Sequence, residues 1–260
     1  KQKPEEPSTL RSNRATSCAI PKSVHATRNG VSSKAPKEKK SMPDYQVATS
    51  THRIGAQDYQ IRSLRDRQQF SDPDGQAARA GISSASWPIF GVVWPAGIAL
   101  AEKMSQFDVD GKNILEVGCG IGLCSLVLQR RGANITASDY HPLAEGFLRY
   151  NSDLNGLAPL KFRNAPWAGP NPDLGRFDLI IGSDLLYEAG HPALLSAFLA
   201  CHTESAANVI LADPGRTHCG QFSTRMAAEG YSRTEQRQHF TGADTPALRG
   251  RIMSFARSQR

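Results

Sequence analysis

The sequence predicts an α/β fold: a Rossmann-like sheet of seven strands with helices on both faces, preceded by a small N-terminal β-hairpin. Three observations predict it. The apolar pair Ile114-Leu115 runs into the turn Glu116-Val117-Gly118-Cys119-Gly120-Ile121-Gly122 and then into the apolar stretch 123–128. That is the order strand, glycine turn, first helix of a βαβ unit. Asn134–Asp139 repeats the strand pattern and ends in an acid about twenty residues after the glycines. Beyond it, strand-like runs alternate with segments of helical period. This favours a mostly parallel sheet with right-handed crossovers.

The elements follow in chain order. Residues 1–41 are rich in Lys, Ser, Pro, Thr and Arg and almost free of aromatic residues. Such a segment cannot bury enough apolar surface to offset its ordering entropy, so a disordered basic tail is expected, with the folded domain at 42–260. The tail has no apolar core of a secretory signal, and Glu5, Glu6 and Glu38 count against a transit peptide. Met42 stands at the composition change and is a candidate physiological start. Rough alternation from Tyr45 to Leu64 predicts the hairpin. Ser71-Asp72-Pro73-Asp74-Gly75 is a turn cluster, and 76–86 is a loop or short helix. Pro95 at a first turn, with Ala96, Ala99, Leu100 and Met104 on one face, predicts a helix over 95–106. Strands are expected at 113–117, 134–139, 159–163, 177–183 and 207–212, with two more near 231–240 and 249–256. Helices are expected at 121–132, 142–155, 192–202 and 218–229.

Charge and cysteine usage bound the function. Residues 1–41 hold ten Lys or Arg and three Glu, which accounts for the whole net charge of +7; the remainder holds 21 basic and 21 acidic residues. A neutral folded domain offers no bulk attraction to a phosphate backbone, so no nucleic-acid partner is expected. The folded part uses 18 Arg against 3 Lys, a bias associated with GC-rich bacterial genomes. Five scattered cysteines contain no C-x-x-C pair, which suggests reduced thiols in a cytoplasmic protein and no metal site. Cys119 fits inside the turn as a packed small residue. The most apolar run, Trp87 to Ala101, is too short for a membrane span and is broken by Pro88 and Pro95. A monomer is expected.

The glycine turn separates two cofactor classes. A dinucleotide fingerprint wants G-x-G-x-x-G/A, whereas counting from Gly118 or from Gly120 places Leu123 or Ser125 in the third slot. What stands here is acidic-x-G-x-G-x-G. The Glu116 carboxylate would repel a pyrophosphate and attract an ammonium group. S-adenosylmethionine carries an ammonium, a carboxylate and a sulfonium and no phosphate, so the pattern favours a methyltransferase. Asp139, at the end of the second main-sheet strand, stands where a carboxylate accepts both ribose hydroxyls in nucleoside-binding α/β folds.

Three further runs carry a family resemblance. They are Phe90-Gly91-Val92-Val93-Trp94-Pro95, Ala165-Pro166-Trp167, and the fourth-strand run 177–188 that ends in Asp184-Leu185-Leu186-Tyr187, a D-x-x-Y motif. With the glycine turn, the chain resembles the seven-strand class I methyltransferases. Within them it resembles the family-16 group, which includes the methyltransferase-like protein-lysine methyltransferases. The resemblance covers roughly residues 45–230. Asp213-Pro214-Gly215-Arg216 departs from it and looks like a bacterial variant.

The resemblance implies S-adenosylmethionine as cofactor, with Trp94, Glu116, Gly118, Gly120, Gly122, Asp139, Trp167 and Ser183 as its contacts and Asp184 and Tyr187 as catalytic residues. Ligands of open α/β sheets bind beyond the carboxyl ends of the strands, and the acids of this set end strands or follow them. Trp167 is placed to stack on adenine. Trp94 either closes over the methionine end, where an indole face favours a sulfonium, or packs in the core. Asp184 is either an N-cap or the group that orients or deprotonates an acceptor amine, with Tyr187 shaping the channel. His141 and His191 are further candidate bases, though the proline after each suits a turn or a helix start. The expected partner is a protein substrate, methylated on Lys. The alternatives are a small amine, as in nicotinamide-type enzymes, and a non-catalytic S-adenosylmethionine-binding protein. A small molecule would need a lid, for which the hairpin and residues 71–86 are the candidates.

Overall fold

The computed structural model describes residues 44–242 and 245–258; the expected basic tail lies outside the described residues. The chain enters through the antiparallel hairpin β1 (Val47–Ile54) and β2 (Gln57–Leu64). Its two-residue turn begins at Gly55, whose φ of 55° suits the primed turns that match strand twist. Tyr59, Ile61 and Leu64 of β2 are buried, with Ile54 from β1. A short helix α1 (Gln76–Arg79) follows, its first N–H groups donating to the Asp72 carboxylate at 2.9–3.0 Å. A 3-10 turn, Trp87–Gly91, then leads to α2 (Pro95–Gln106).

The alternating part is β3 (Asn113–Val117), α3 (Leu123–Arg130), β4 (Asn134–Asp139), α4 (Ala144–Leu154), β5 (Lys161–Asn164), β6 (Phe177–Ser183), α5 (His191–His202), β7 (Thr203–Asp213), α6 (Cys219–Ala228), β8 (Ser232–Gly242) and β9 (Thr245–Arg257). Seven strands form one sheet in the order β5-β4-β3-β6-β7-β9-β8. β3 through β7 run parallel, and β9 inserts antiparallel between β7 and β8. Two apolar clusters cover the sheet. One gathers the hairpin, α2, α3 and α4; the other gathers α5 and α6 around Phe222 and Phe255. The expected seven strands, helices on both faces and N-terminal hairpin are therefore present.

Boundaries differ where glycine decides them. The helix expected over 121–132 is α3, Leu123–Arg130, because Gly122 (φ 86°) and Gly132 (φ 75°) hold left-handed backbone at its two ends. β7 begins at Thr203, earlier than expected, and follows α5 directly.

The hairpin is held by a device that periodicity does not reveal. Asn151 on α4 and Asn155 at its C-cap, one turn apart, present their side-chain amides to the free edge of β2. Asn151 accepts from the Arg62 N–H at 2.8 Å and donates to the carbonyls of Arg62 and Ile121 at 3.1 and 3.0 Å. Asn155 accepts from the Gln60 N–H at 2.9 Å and donates to its carbonyl at 2.7 Å. The two amides thus act as a short extra strand. Asn151 is fully buried, so Asn151→Leu would leave three backbone groups, one buried and two part-buried, without this partner. At about 1–3 kcal/mol for each unsatisfied group, a loss of roughly 3 kcal/mol or more is expected. At about 2–4 °C per kcal/mol this lowers the thermal midpoint by roughly 6 °C or more. Calorimetric melting checks it, and an unchanged midpoint would show that the hairpin is dispensable.

Candidate active site

The carboxyl ends of the parallel strands meet at β3, where the order reverses between β4 and β6, and ligands of open α/β sheets bind at such a switch. A cavity of about 550 Å³ opens there, within the range of about 300–1,000 Å³ usual for small-molecule sites. Nine of the residues singled out in the sequence line it: Trp94, Glu116, Gly118, Gly120, Asp139, Trp167, Ser183, Asp184 and Tyr187. Gly122 does not. A side chain there would meet Leu148 Cδ1 at 2.1 Å, so its role in the structure is close packing of α3 on α4. At Gly120 a Cβ would meet the Phe90 carbonyl at 2.6 Å, which seats the 3-10 turn on the glycine loop.

One wall of the cavity is acidic. Glu116 is buried and accepts a short hydrogen bond from Ser125 Oγ. Burial pushes its carboxyl up to about 7, against two bonds from Ser125 that lower it; the charge of Asp139 adds to the rise. Asp139 accepts from the Gly120 N–H (2.8 Å, Oδ2) and from the His141 N–H (2.9 Å, Oδ1). Burial raises its pKa, while the His141 and Gly120 N–H groups, and next the Tyr140 N–H nearby, oppose the rise. A carboxylate offers about four lone-pair sites, so each oxygen keeps one for a ligand.

His141 has a different place from that of a base. Its ring stacks on Phe90 at 3.7 Å between centroids, and burial pushes its pKa down to about 3. Nδ1 accepts from the Leu143 N–H at 3.2 Å, which assigns the proton of the neutral ring to Nε2. That Nε2 is buried and has no protein partner. His191 begins α5, as the following proline suggests. It hydrogen-bonds the Leu185 carbonyl through Nδ1 at 2.7 Å and meets the edges of Tyr187 and Trp167 at 4.5 and 5.3 Å. It braces the 185–190 loop between two aromatic walls.

The other wall is built on β6 and β7. Asp184 follows β6 with φ 52°, the one non-glycine residue in left-handed backbone among the described residues. Asp is one of the few side chains that tolerate this conformation. Its N–H continues the ladder to the Ala212 carbonyl at 2.8 Å. The N-cap reading does not hold, because the next helix begins only at His191. Both carboxylate oxygens are instead taken by Arg216, whose Nε donates to Oδ1 at 2.8 Å and Nη2 to Oδ2 at 2.9 Å. Asp184 is 10% exposed and Arg216 42% exposed. Tyr187 stands beside them, its hydroxyl pKa raised by burial first and by Tyr140 next. Arg216 lies in the D-P-G-R run; its pairing with a residue 32 positions away has no signal in spacing.

Trp94 precedes α2, donates from Nε1 to the Ile89 carbonyl at 2.9 Å and lines the cavity, so it is not sealed in the core. The hairpin contributes no lining residue, whereas Ala80 and Ser86 do. Of the two lid candidates only the 71–86 segment reaches the cavity lining, while the hairpin is bonded to Asn151 and Asn155. Among the described residues no group of side chains could hold a metal ion, and no helix is long and apolar enough to cross a membrane.

Comparison with known proteins places this geometry among relatives. A family model described as lysine methyltransferase matches residues 84–225. The electron transfer flavoprotein beta subunit lysine methyltransferase of Rattus norvegicus is 32% identical over 53% of this chain and 55% of its own length. Protein N-lysine methyltransferase METTL21A of Danio rerio is 34% identical over 61% of this chain and 73% of its own length. The chain spans about half the length of the electron transfer flavoprotein relatives first matched. Magnesium protoporphyrin IX methyltransferase from Synechocystis PCC 6803 with bound SAM shares the fold. Its TM-score is 0.51 at 15% identity, over 75% of this chain and 89% of that one.

Proposed function

The chain belongs to the lysine methyltransferase family, and from that premise we propose that it transfers a methyl group from S-adenosylmethionine to the side-chain amine of a protein lysine. One observation carries the reading: a single cavity joins an acid-glycine-acid wall to an Asp184–Tyr187 wall. The first wall fits the cofactor. Gly118 and Gly120 line the cavity with left-handed backbone, and a side chain at either would collide with Leu185 or the Phe90 carbonyl, so the loop that borders the cofactor stays close-packed and bare. Asp139 retains acceptor capacity for two ribose hydroxyls, and Glu116 offers a carboxylate to the ammonium. The proton on His141 Nε2 lacks the acceptor that a purine ring nitrogen supplies. Trp167 offers a flat face for adenine and Trp94 an indole near the sulfonium end.

When bound, the cofactor supplies an electrophilic methyl group on a sulfonium. The protein must hold an amine in line with that methyl, and near-attack placement alone accounts for much of the acceleration. The amine must be neutral to attack. Asp184 receives the incoming ammonium as a charge partner, orients its nitrogen and takes up its proton, which then passes to water at the mouth. Tyr187, beside Asp184, excludes water around it. A cytoplasmic monomer acting on proteins is part of this proposal, as is a tail that the domain does not need for folding. Cys119, Cys124 and Cys219 are thiols outside any disulfide, which accords with a reducing compartment.

The test is incubation of purified protein with radiolabelled S-adenosylmethionine and a lysate, followed by mass spectrometry of labelled proteins. Methyl groups on lysine are expected. Label found only in small molecules would sink the protein-lysine reading and leave the methyltransferase reading standing.

The acidic wall yields a pH prediction. The folded value of Glu116, about 7, lies above its ordinary 4.5. Its contribution to stability is thus present below about pH 4.5 and lost as pH rises through 7. An ammonium ligand favours the ionised form. Binding near pH 6 should therefore release a proton, and affinity should rise with pH up to about 7. Calorimetry in buffers of different ionisation enthalpy reads this directly. Glu116→Gln should lose most of the release; equal release in both proteins would contradict the assignment.

A further inference from the structure

The Asp184 carboxylate already holds a cation. Arg216 grips it with two parallel hydrogen bonds of 2.8 and 2.9 Å, and this pair stands on the cavity wall where an acceptor amine must arrive. The two partners are unequally placed. Asp184 is nearly buried on a constrained left-handed backbone, so leaving its charge unpaired is costly. The Arg216 head is nearly half exposed and can return to water.

Its backbone, by contrast, is anchored. The Gly215 and Arg216 N–H groups both donate to Asp213 Oδ1 at 2.7 Å, and Asp213 is buried. The side chain can swing on a fixed pivot.

The geometry points to Arg216 as an internal stand-in for the substrate, its guanidinium occupying on Asp184 the place that the acceptor's alkylammonium takes. The choice of an alkylammonium as the second cation rests on the N-methyltransferase reading; the cation site itself does not. An ammonium is a compact charge with three donors and needs less room than the planar guanidinium. Exchange keeps Asp184 neutralised while the ammonium enters, so the wall can be entered without a bare buried charge. A neutral small molecule has nothing to offer in exchange and leaves the latch closed. After transfer the methylated amine is again a cation, and the tethered Arg216, at high effective concentration, competes it off.

The experiment uses full-length Arg216→Gly and the probes n-butylammonium and ethylguanidinium, with sodium chloride at matched ionic strength as control. Both probes are expected to raise the thermal midpoint of Arg216→Gly and to bind it at least about tenfold more tightly than the wild type, where the tether outcompetes them. Arg216→Gly with Asp184→Asn should lose the response. No response in Arg216→Gly, or an equal one in the double variant, overturns the stand-in. Arg216→Gln, which keeps the bulk of the side chain, gives a second reading should the glycine variant fold poorly. The acceptor KM should fall several-fold in it, because the competitor is gone. A raised KM would make Arg216 a substrate-binding group and overturn the inference. Probe binding without methyl transfer in any assay would remove the proposed activity and leave the cation site intact.

Discussion

Asp139→Ala should reduce S-adenosylmethionine affinity by roughly a hundredfold or more. Two hydrogen bonds from ribose to a carboxylate are worth about 1.5–3 kcal/mol each, and about 1.4 kcal/mol is tenfold in affinity. The structure adds a second loss. Asp139 also ties the Gly120 and His141 N–H groups, so its removal loosens the glycine loop at the same time. Asp139→Asn separates the two contributions. Its amide oxygen can keep one of the loop bonds, so the fold of the loop survives better while the charge is lost. Calorimetric titration of both variants reads the difference. Wild-type affinity in Asp139→Ala would remove the cofactor assignment, as would NADH binding in place of S-adenosylmethionine.

Asp184→Asn should cut turnover by roughly a hundredfold or more, the usual scale for a positioned acid-base group, while cofactor affinity stays within a few-fold. Stability should change little, for a reason that differs from helix capping. Asn tolerates left-handed backbone as Asp does. Its side-chain oxygen can still accept one bond from Arg216. Raising the pH should restore part of the lost rate, because a lysine acceptor made neutral by alkali no longer needs the carboxylate. Steady-state kinetics from neutral to alkaline pH test this. Full activity of the variant at neutral pH would leave positioning by Tyr187 and the cavity walls to carry the reaction.

What the sequence determined by itself was local. Pro95 and the apolar face of 95–106 specify α2, and the glycines at 118, 120 and 122 specify a strand-turn-helix junction, because each acts through neighbouring backbone. Alternation of strand-like and helix-like segments specified a parallel α/β sheet with its ligand crevice at the strand ends, since the sheet needs helices on both faces. The residues marked for the crevice were legible because strand ends converge there by topology. Side-chain contacts between distant segments were decided only by tertiary structure. The insertion of β9 between β7 and β8 depends on which edge a returning strand meets. Gly122 resembles its neighbours in the motif, yet packing against Leu148 turns it away from the cavity. Asn151 and Asn155 are an ordinary helix residue and C-cap until the edge of β2 arrives beside them. Arg216 and Asp184, 32 residues apart, meet because β6 and β7 are parallel neighbours whose carboxyl ends open on the same side. Periodicity records which face a residue takes along its own element, and it carries no record of what another element places against that face.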